Sequence, residues 1–268
     1  MNFDLSEEQR LLAESLTKWA ARSYDFDRRQ KICASPEGRS PEVWAELADL
    51  GLTGLPFAEE DGGFGGGPVE TMIAMEAIGR ALVGEPWLDA VVFTGALLRH
   101  GASAEQRADL VPAIAAGELL LVAAIGEPQS RWTLSDVATR ATSIDGGWRI
   151  DGAKVLVPHG ASADRFVVSA RTDGDRTSPI GIGLFLVDRD APGVSVVLHV
   201  THDGGRVADV RFDGVTIAAD AAIGDTARGL PILERAVDEA IAAISAEAVG
   251  IMDEALRMTV EYLKTRVQ

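Results

Sequence analysis

Trp148-Arg149-Ile150-Asp151-Gly152-Ala153-Lys154-Val155-Leu156-Val157 holds two β-forming runs separated by an Asp-Gly pair. β-branched and aromatic residues suit a pleated strand, and Asp-Gly is a strong turn signal. The same rhythm spreads outward from this stretch. Phe166-Val167-Val168, Leu184-Phe185-Leu186-Val187, Val194–Val200 and Val207–Phe212 are further short runs. Asp145-Gly146-Gly147, Asp173-Gly174, Pro192-Gly193 and Asp203-Gly204-Gly205 punctuate them. Closely spaced strands with turn signals predict an antiparallel sandwich or barrel, not βαβ units.

Upstream the periodicity is helical. Ser6 and Gln9 have capping-box spacing, and Leu12, Leu16, Trp19 and Ala20 recur as one helical face. Residues 24–40 are polar and mixed, and are expected to form a loop. Ser40-Pro41 opens another helix with Val43, Trp44 and Leu47 as its buried stripe, and Gly51 stands where a left-handed C-cap is wanted. Further helical patterns cover about 69–83, 87–100 and 104–116. The glycine-rich run Asp61–Pro68 lacks the GxxxxGK[ST] order, and no strand leads into it, so it reads as a tight turn or hinge before a phosphate loop.

Downstream of Gly224, Leu233, Val237, Ile241, Ile244, Ala248, Ile251, Ala255 and Met258 define one apolar helical face. One helix cannot bury such a stripe alone, so it is expected to pack on helices outside this sequence or on a partner. The resulting fold class is α+β and multidomain. It comprises an N-terminal α-helical domain (1–120), a middle antiparallel β-domain (121–224) and the first helix of an incomplete C-terminal helical bundle (225–268).

Charge narrows the function classes. Asp and Glu number 41 against 25 Lys and Arg, a formal net charge of −16. A field of that sign repels phosphate backbones, which argues against nucleic-acid partners. Cys33 is the only cysteine, so no intramolecular disulfide forms; with no secretory signal in the opening residues, a cytoplasmic location is expected. No run of ~18 apolar residues predicts a membrane span. No His, Cys, Asp or Glu set has metal-ligand spacing, and no nucleophile triad is suggested.

Particular stretches carry a family resemblance. Phe3-Asp4-Leu5-Ser6-Glu7-Glu8-Gln9, Trp44–Leu52 with Pro56, and Glu76-Ala77-Ile78-Gly79-Arg80-Ala81-Leu82 are similar to helices of the acyl-CoA dehydrogenases. Gly126-Glu127-Pro128 resembles that family's TEP segment, and Asp151-Gly152-Ala153-Lys154 its NGxK turn. Phe212-Asp213-Gly214-Val215 and Tyr262–Gln268 complete the series, the last resembling Y-x-x-x-R-x-Q/T-F-G stopped before Phe-Gly. The resemblance implies a C-terminally truncated chain and an FAD-dependent α,β-dehydrogenation of an acyl-CoA to a trans-2-enoyl-CoA. It also implies an electron-transfer flavoprotein or similar acceptor, and a homo- or hetero-oligomer with another subunit of the family.

Site residues follow from the same resemblance. Ser245-Ala246-Glu247-Ala248-Val249-Gly250 resembles a segment of actinobacterial-type relatives in which the glutamate is the base, so Glu247 is the candidate catalytic carboxylate. A wheel of the helix sets it beside the apolar face, with Glu239 and Asp238 pointing away. The flavin-site candidates are Ile125, Gly126, Trp132, Leu156, Pro158 and Arg266. Gly126 and Pro158 stand where the family has threonines, Leu156 where it has an aromatic ring, and Arg131-Trp132-Thr133 where it has Gly-Ser-Asp. Backbone donors around Ile125–Glu127 remain for the cofactor. Trp132 reads as a core tryptophan or as a ring stacked on the flavin. Arg266 aligns with an arginine that reaches a flavin diphosphate, and His159 is a possible local donor. These departures leave two other readings open: a non-catalytic partner in a heteromeric enzyme, or a redox-inactive acyl-CoA-binding scaffold.

Overall fold

The computed structural model describes residues 4–267; Phe3 and Gln268, quoted above, lie outside that range. Helix α1 (Glu7–Ser23) opens on the expected capping box. The Ser6 hydroxyl accepts from the Gln9 N–H at 3.1 Å, and the Gln9 side chain accepts from the Ser6 N–H at 2.9 Å. The stretch read as a loop contains α2 (Phe26–Ala34). Its only buried residue is Ile32, so no apolar stripe announces it. It is held instead by Asp25, which accepts from the Arg28 N–H at 2.7 Å, and by an Arg28–Glu46 ion pair of 2.8 Å. That pair ties α2 to α3 (Pro41–Asp49), whose Val43, Trp44 and Leu47 are buried as expected. Gly51 at φ 78° closes α3.

The glycine-rich run is a close-packed turn. A Cβ on Gly63 would meet the Phe57 carbonyl oxygen at 2.3 Å, so no side chain fits there. Then follow α4 (Pro68–Ala81), a π-helical segment Trp87–Thr94, α5 (Gly95–Gly101) and α6 (Ala104–Ala115).

Eight strands form the middle layer: β1 (Leu121–Ala124), β2 (Arg140–Ile144), β3 (Gly147–Pro158), β4 (Arg165–Arg171), β5 (Ile182–Asp188), β6 (Val194–Val200), β7 (Arg206–Ala218) and β8 (Ala222–Ile223). Their order is β6-β7-β3-β2-β4-β5-β8, with β1 added against β4. Most neighbours are antiparallel, but β1 runs parallel to β4, from Leu121 opposite Arg165 to Ala124 opposite Val168. It enters from the helical half instead of from a hairpin, so its direction is not set by a tight turn.

Asp151-Gly152, read as a turn, lies inside one continuous strand. β3 slips register against β7 between Ile150 and Gly152 and again between Lys154 and Val157. The first slip puts the extra residue on β7 and the second puts it on β3, and such a bulge bends a strand and re-aims side chains without ending it. Gly152 (φ 153°) passes so close to Thr139 that a Cβ would stand 2.6 Å from its hydroxyl oxygen.

The final helix, α7 (Gly229–Thr265), buries Leu233, Ala236, Ala243, Ala246 and Gly250 against the rest of the chain. The stripe expected to pack outside this sequence is open, and a different face meets the chain. The large apolar stripe through Ile241, Ile244, Ile251 and Met258 is exposed, and small residues form the packed face. The reason is backbone proximity to α4. A Cβ on Gly79 would stand 2.1 Å from the Glu247 carbonyl oxygen, and one on Gly250 would stand 2.0 Å from that of Glu76. The crossing is reciprocal, one glycine on each helix, and it fixes where Glu247 starts from. Glycine to alanine inside a helix normally stabilises by up to ~1 kcal/mol. Here the added methyl must push two backbones apart, so Gly79→Ala and Gly250→Ala are each expected to destabilise by about 1–3 kcal/mol. Thermal unfolding, with proteolysis of α7 as a local readout, checks the sign.

Candidate functional site

Five of the six flavin-site candidates converge on one cleft. Ile125 and Gly126 follow β1, Leu156 and Pro158 end β3, and Trp132 comes from the loop between β1 and β2. Together with Phe93 of the π-helical segment they line a cavity of about 440 Å³. That volume lies in the ~300–1,000 Å³ range of small-molecule sites. Trp132 is 97% exposed, so it is no core residue and leaves the cleft open. Leu156 is also an exposed apolar side chain, at 65%. The second β3 bulge puts it at φ 54°, with its N–H donating to Asp209 at 3.2 Å. Arg131, which also lines the cleft, has φ 48°. Left-handed backbone is costly for branched or bulky side chains and collects at ligand sites.

Beneath this cleft is an ion pair that the sequence did not disclose as a pair. Lys154 Nζ lies 2.6 Å from Glu127 Oε1 and also donates to Ser169 Oγ (2.9 Å) and to the Ile125 carbonyl (3.2 Å). Both side chains are buried. Glu127 further accepts from the N–H groups of Ala138 (2.7 Å) and Thr139 (3.1 Å). Burial alone would raise the Glu127 pKa; the Lys154 charge and these hydrogen bonds outweigh it and bring it down to about 2. The pair therefore pins the Ile125–Pro128 edge to β3. One expectation is corrected here: the Glu127 N–H is not a free donor, because it bonds to Ser130 Oγ at 3.0 Å.

His159, next in the chain after Pro158, lines a second cavity of about 240 Å³. Glu247 lines it half-buried, with Asp89, Glu85 and His159. Burial raises the Glu247 pKa. Asp89 is raised to about 6, by burial first and then by the Glu247 charge. Burial lifts Glu85 to about 7 and, with Arg39 beside it, holds His159 down to about 4. His159 Nε2 stands 3.8 Å from Asp89 Oδ2.

Glu239 comes out differently, and Arg266, expected against a flavin diphosphate, lies apart from both cavities. Glu239, expected to point away, faces α5, where it pairs with Arg99 and accepts from His100 Nε2 at 2.5 Å. Arg266 caps α7, bonds to the Tyr262 hydroxyl at 2.7 Å and lines neither cavity.

This geometry can now be compared with known proteins. The N-terminal domain model of acyl-CoA dehydrogenases matches residues 6–118, and the middle-domain model of the same family matches residues 123–215. The mitochondrial isovaleryl-CoA dehydrogenase of Oryza sativa subsp. japonica is 29% identical over 99% of this chain and 66% of its own length. Acyl-CoA dehydrogenase FadE12 of Mycobacterium tuberculosis is 30% identical over 99% of this chain and 69% of its own. The crystal structure of the ChsE4–ChsE5 complex from Mycobacterium tuberculosis superposes with a TM-score of 0.87 at 25% identity, covering 100% of this chain and 70% of that one. The chain belongs to the acyl-CoA dehydrogenase family, and it spans about two thirds of the length of these curated relatives. No described helix is long and apolar enough to cross a membrane.

The first cleft fits a flat aromatic ring through apolar walls and backbone edges. It offers no hydroxyl at Gly126 or Pro158, and Arg131 is its cationic group. The resemblance passed over Arg131 as bulk; its left-handed backbone is a structural signal with no sequence counterpart.

Replacing one member of a buried pair strands the other. Lys154→Met is expected to cost about 3–5 kcal/mol, read from denaturant unfolding, and Glu127→Gln/Lys154→Met should lose less than the single change. Glu127 is depressed below the ~4.3 of a free glutamate, so its contribution is full above that pH and is lost as pH falls toward 2. Glu127→Gln should flatten acid unfolding in that window.

Proposed function

We propose that this chain is the flavin- and acyl-thioester-binding part of an acyl-CoA dehydrogenase, with Glu247 as the base that takes the α-proton. The observation that carries this reading is the adjacency of the two cavities. A cleft suited to a planar ring lies one residue, Pro158 to His159, from a cavity holding a half-buried carboxylate of raised pKa. A base works best with its pKa moved toward the working pH, and burial moves Glu247 in that direction. FAD, when bound, supplies the hydride acceptor that no side chain provides. Ile125, Gly126, Leu156 and Pro158 would hold its ring, Trp132 would cover it, and Arg131 and Arg266 are the cations offered to its diphosphate. Arg266 would serve a neighbouring subunit, in keeping with its place at the end of α7. The electron acceptor would be an electron-transfer flavoprotein or a similar carrier.

A second reading is a non-catalytic partner of a heteromeric enzyme. It is favoured by the missing hydroxyls at Gly126 and Pro158 and by the likeness to a two-component complex. The exposed apolar face of α7 suits either a homo-oligomer or a hetero-oligomer.

Flavin absorbance of the protein, purified alone and with co-expressed family subunits, separates the readings. Glu247→Gln is expected to keep bound flavin while turnover falls about 10²–10⁴-fold. Unchanged turnover removes Glu247 from the role, and flavin absent from every combination removes the redox reading.

A further inference from the structure

One wall of the Glu247 cavity is made by two segments remote from each other in sequence. Arg29 and Cys33 of α2, with Gly38 beyond it, come from the helical half of the chain. Asp203, Gly204 and Gly205 come from the turn between β6 and β7. Apolar packing does little to hold this wall, because α2 buries only Ile32.

Arg206 joins the two segments. It is buried, and among the described residues its guanidinium makes five hydrogen bonds, all to main-chain carbonyls. Nε donates to Pro36 at 3.0 Å. One terminal nitrogen donates to Gly204 (2.6 Å) and Gly205 (3.1 Å), the other to Cys33 (3.2 Å) and Ser35 (2.5 Å). A guanidinium carries five N–H groups in one rigid plane, so the number of bonds equals the number of donors. Gly38, at φ 63°, leaves room for the stem: a Cβ there would stand 2.7 Å from Arg206 Cγ. The Arg206 carbonyl in turn accepts from the His159 N–H at 3.0 Å, and His159 lines the same cavity. One residue therefore fixes three parts of the lining. Arg206 itself lines neither cavity, so it acts only through the segments it holds.

We infer that Arg206 is a positioning residue that holds this wall in place and so limits the size of the acyl group the Glu247 cavity contains. This rests on the acyl-thioester reading given above. At about 240 Å³ the cavity is smaller than the ~300–1,000 Å³ of sites that enclose drug-sized ligands. Without the guanidinium, five carbonyls lose their donors and nothing else described ties 33–36 to 204–205 by hydrogen bonds. The two segments then part, and longer acyl groups gain room.

The test has two readouts. Cys33 is the only cysteine and lies in this wall, so its alkylation by iodoacetamide reports the wall without cofactor or turnover. Arg206→Met is expected to speed alkylation at least ~10-fold through local opening. Arg206→Lys, with only three donors, should restore part of the protection. Lys154→Met, destabilised elsewhere, should stay near the wild-type rate. The second readout uses the flavin-loaded assembly, with its partner subunit if one is needed. Calorimetric binding and kcat/KM are measured for butanoyl-, octanoyl- and dodecanoyl-CoA. Arg206→Met is expected to move the dodecanoyl-to-butanoyl ratio at least ~10-fold toward the longer chain, in affinity and KM more than in kcat. Gly38→Ala presses on the Arg206 stem and gives both readouts if Arg206→Met does not fold. An unchanged alkylation rate, or an unchanged chain-length ratio, overturns the inference and leaves the dehydrogenase reading standing. Failure of the wild-type assembly to bind any acyl-CoA overturns both.

Discussion

The buried Lys154–Glu127 pair is the constraint from which the site is built. A lysine with no exposed surface is tolerable only where its ammonium is fully engaged, and here it meets a carboxylate, a hydroxyl and a carbonyl. Those partners come from the chain after β1 and from strand β4, and Lys154 brings β3 to them. The pair thus clamps the edge that carries Ile125 and Gly126 at a fixed height above β3. Two residues beyond Lys154, the β3 bulge turns Leu156 outward at φ 54°. Clamp and bulge together define the walls of the ring-shaped cleft.

The carboxylate side of the site depends on a different kind of contact. Gly79 and Gly250 let α4 and α7 approach backbone to backbone, and Glu247 sits at the point of approach. Its side chain enters a cavity already occupied by Asp89, Glu85 and His159, where charge is expensive. Burial pushes the acids up, with the Glu247 charge adding to the effect at Asp89, and burial pushes the histidine down. The local rule is that this cavity disfavours charge on the side chains that line it.

Much of the fold was legible in the residues. Ser6 with Gln9, Ser40-Pro41, Gly51 and the strand rhythm after 121 all act locally, within a few residues, and local rules read them. The misreadings share a cause: tertiary contacts. α2 rests on Asp25 and a pair to α3, not on an apolar stripe. Asp151-Gly152 looks like a turn, yet the β7 partner carries the strand through it. The second packed face of α7 gave no signal in its residues, because α4 selects for close backbone approach and not for bulk. Within the site, resemblance named five residues of one cleft. It could not foresee the Glu127–Lys154 contact, the exposure of Trp132 or the company Glu247 keeps, because each is a distance between segments remote in sequence.

The segment Trp87–Thr94 winds as a π-helix. It spans both compartments: Asp89 borders the carboxylate cavity and Phe93 the ring cleft. One widened turn serves as a partition wall, presenting an acid to one compartment and an aromatic to the other. The two compartments can therefore be altered independently from a single helix. Loss of one residue between Asp89 and Phe93 would turn the two side chains by about 100° relative to each other, changing both compartments at once with no substitution in either.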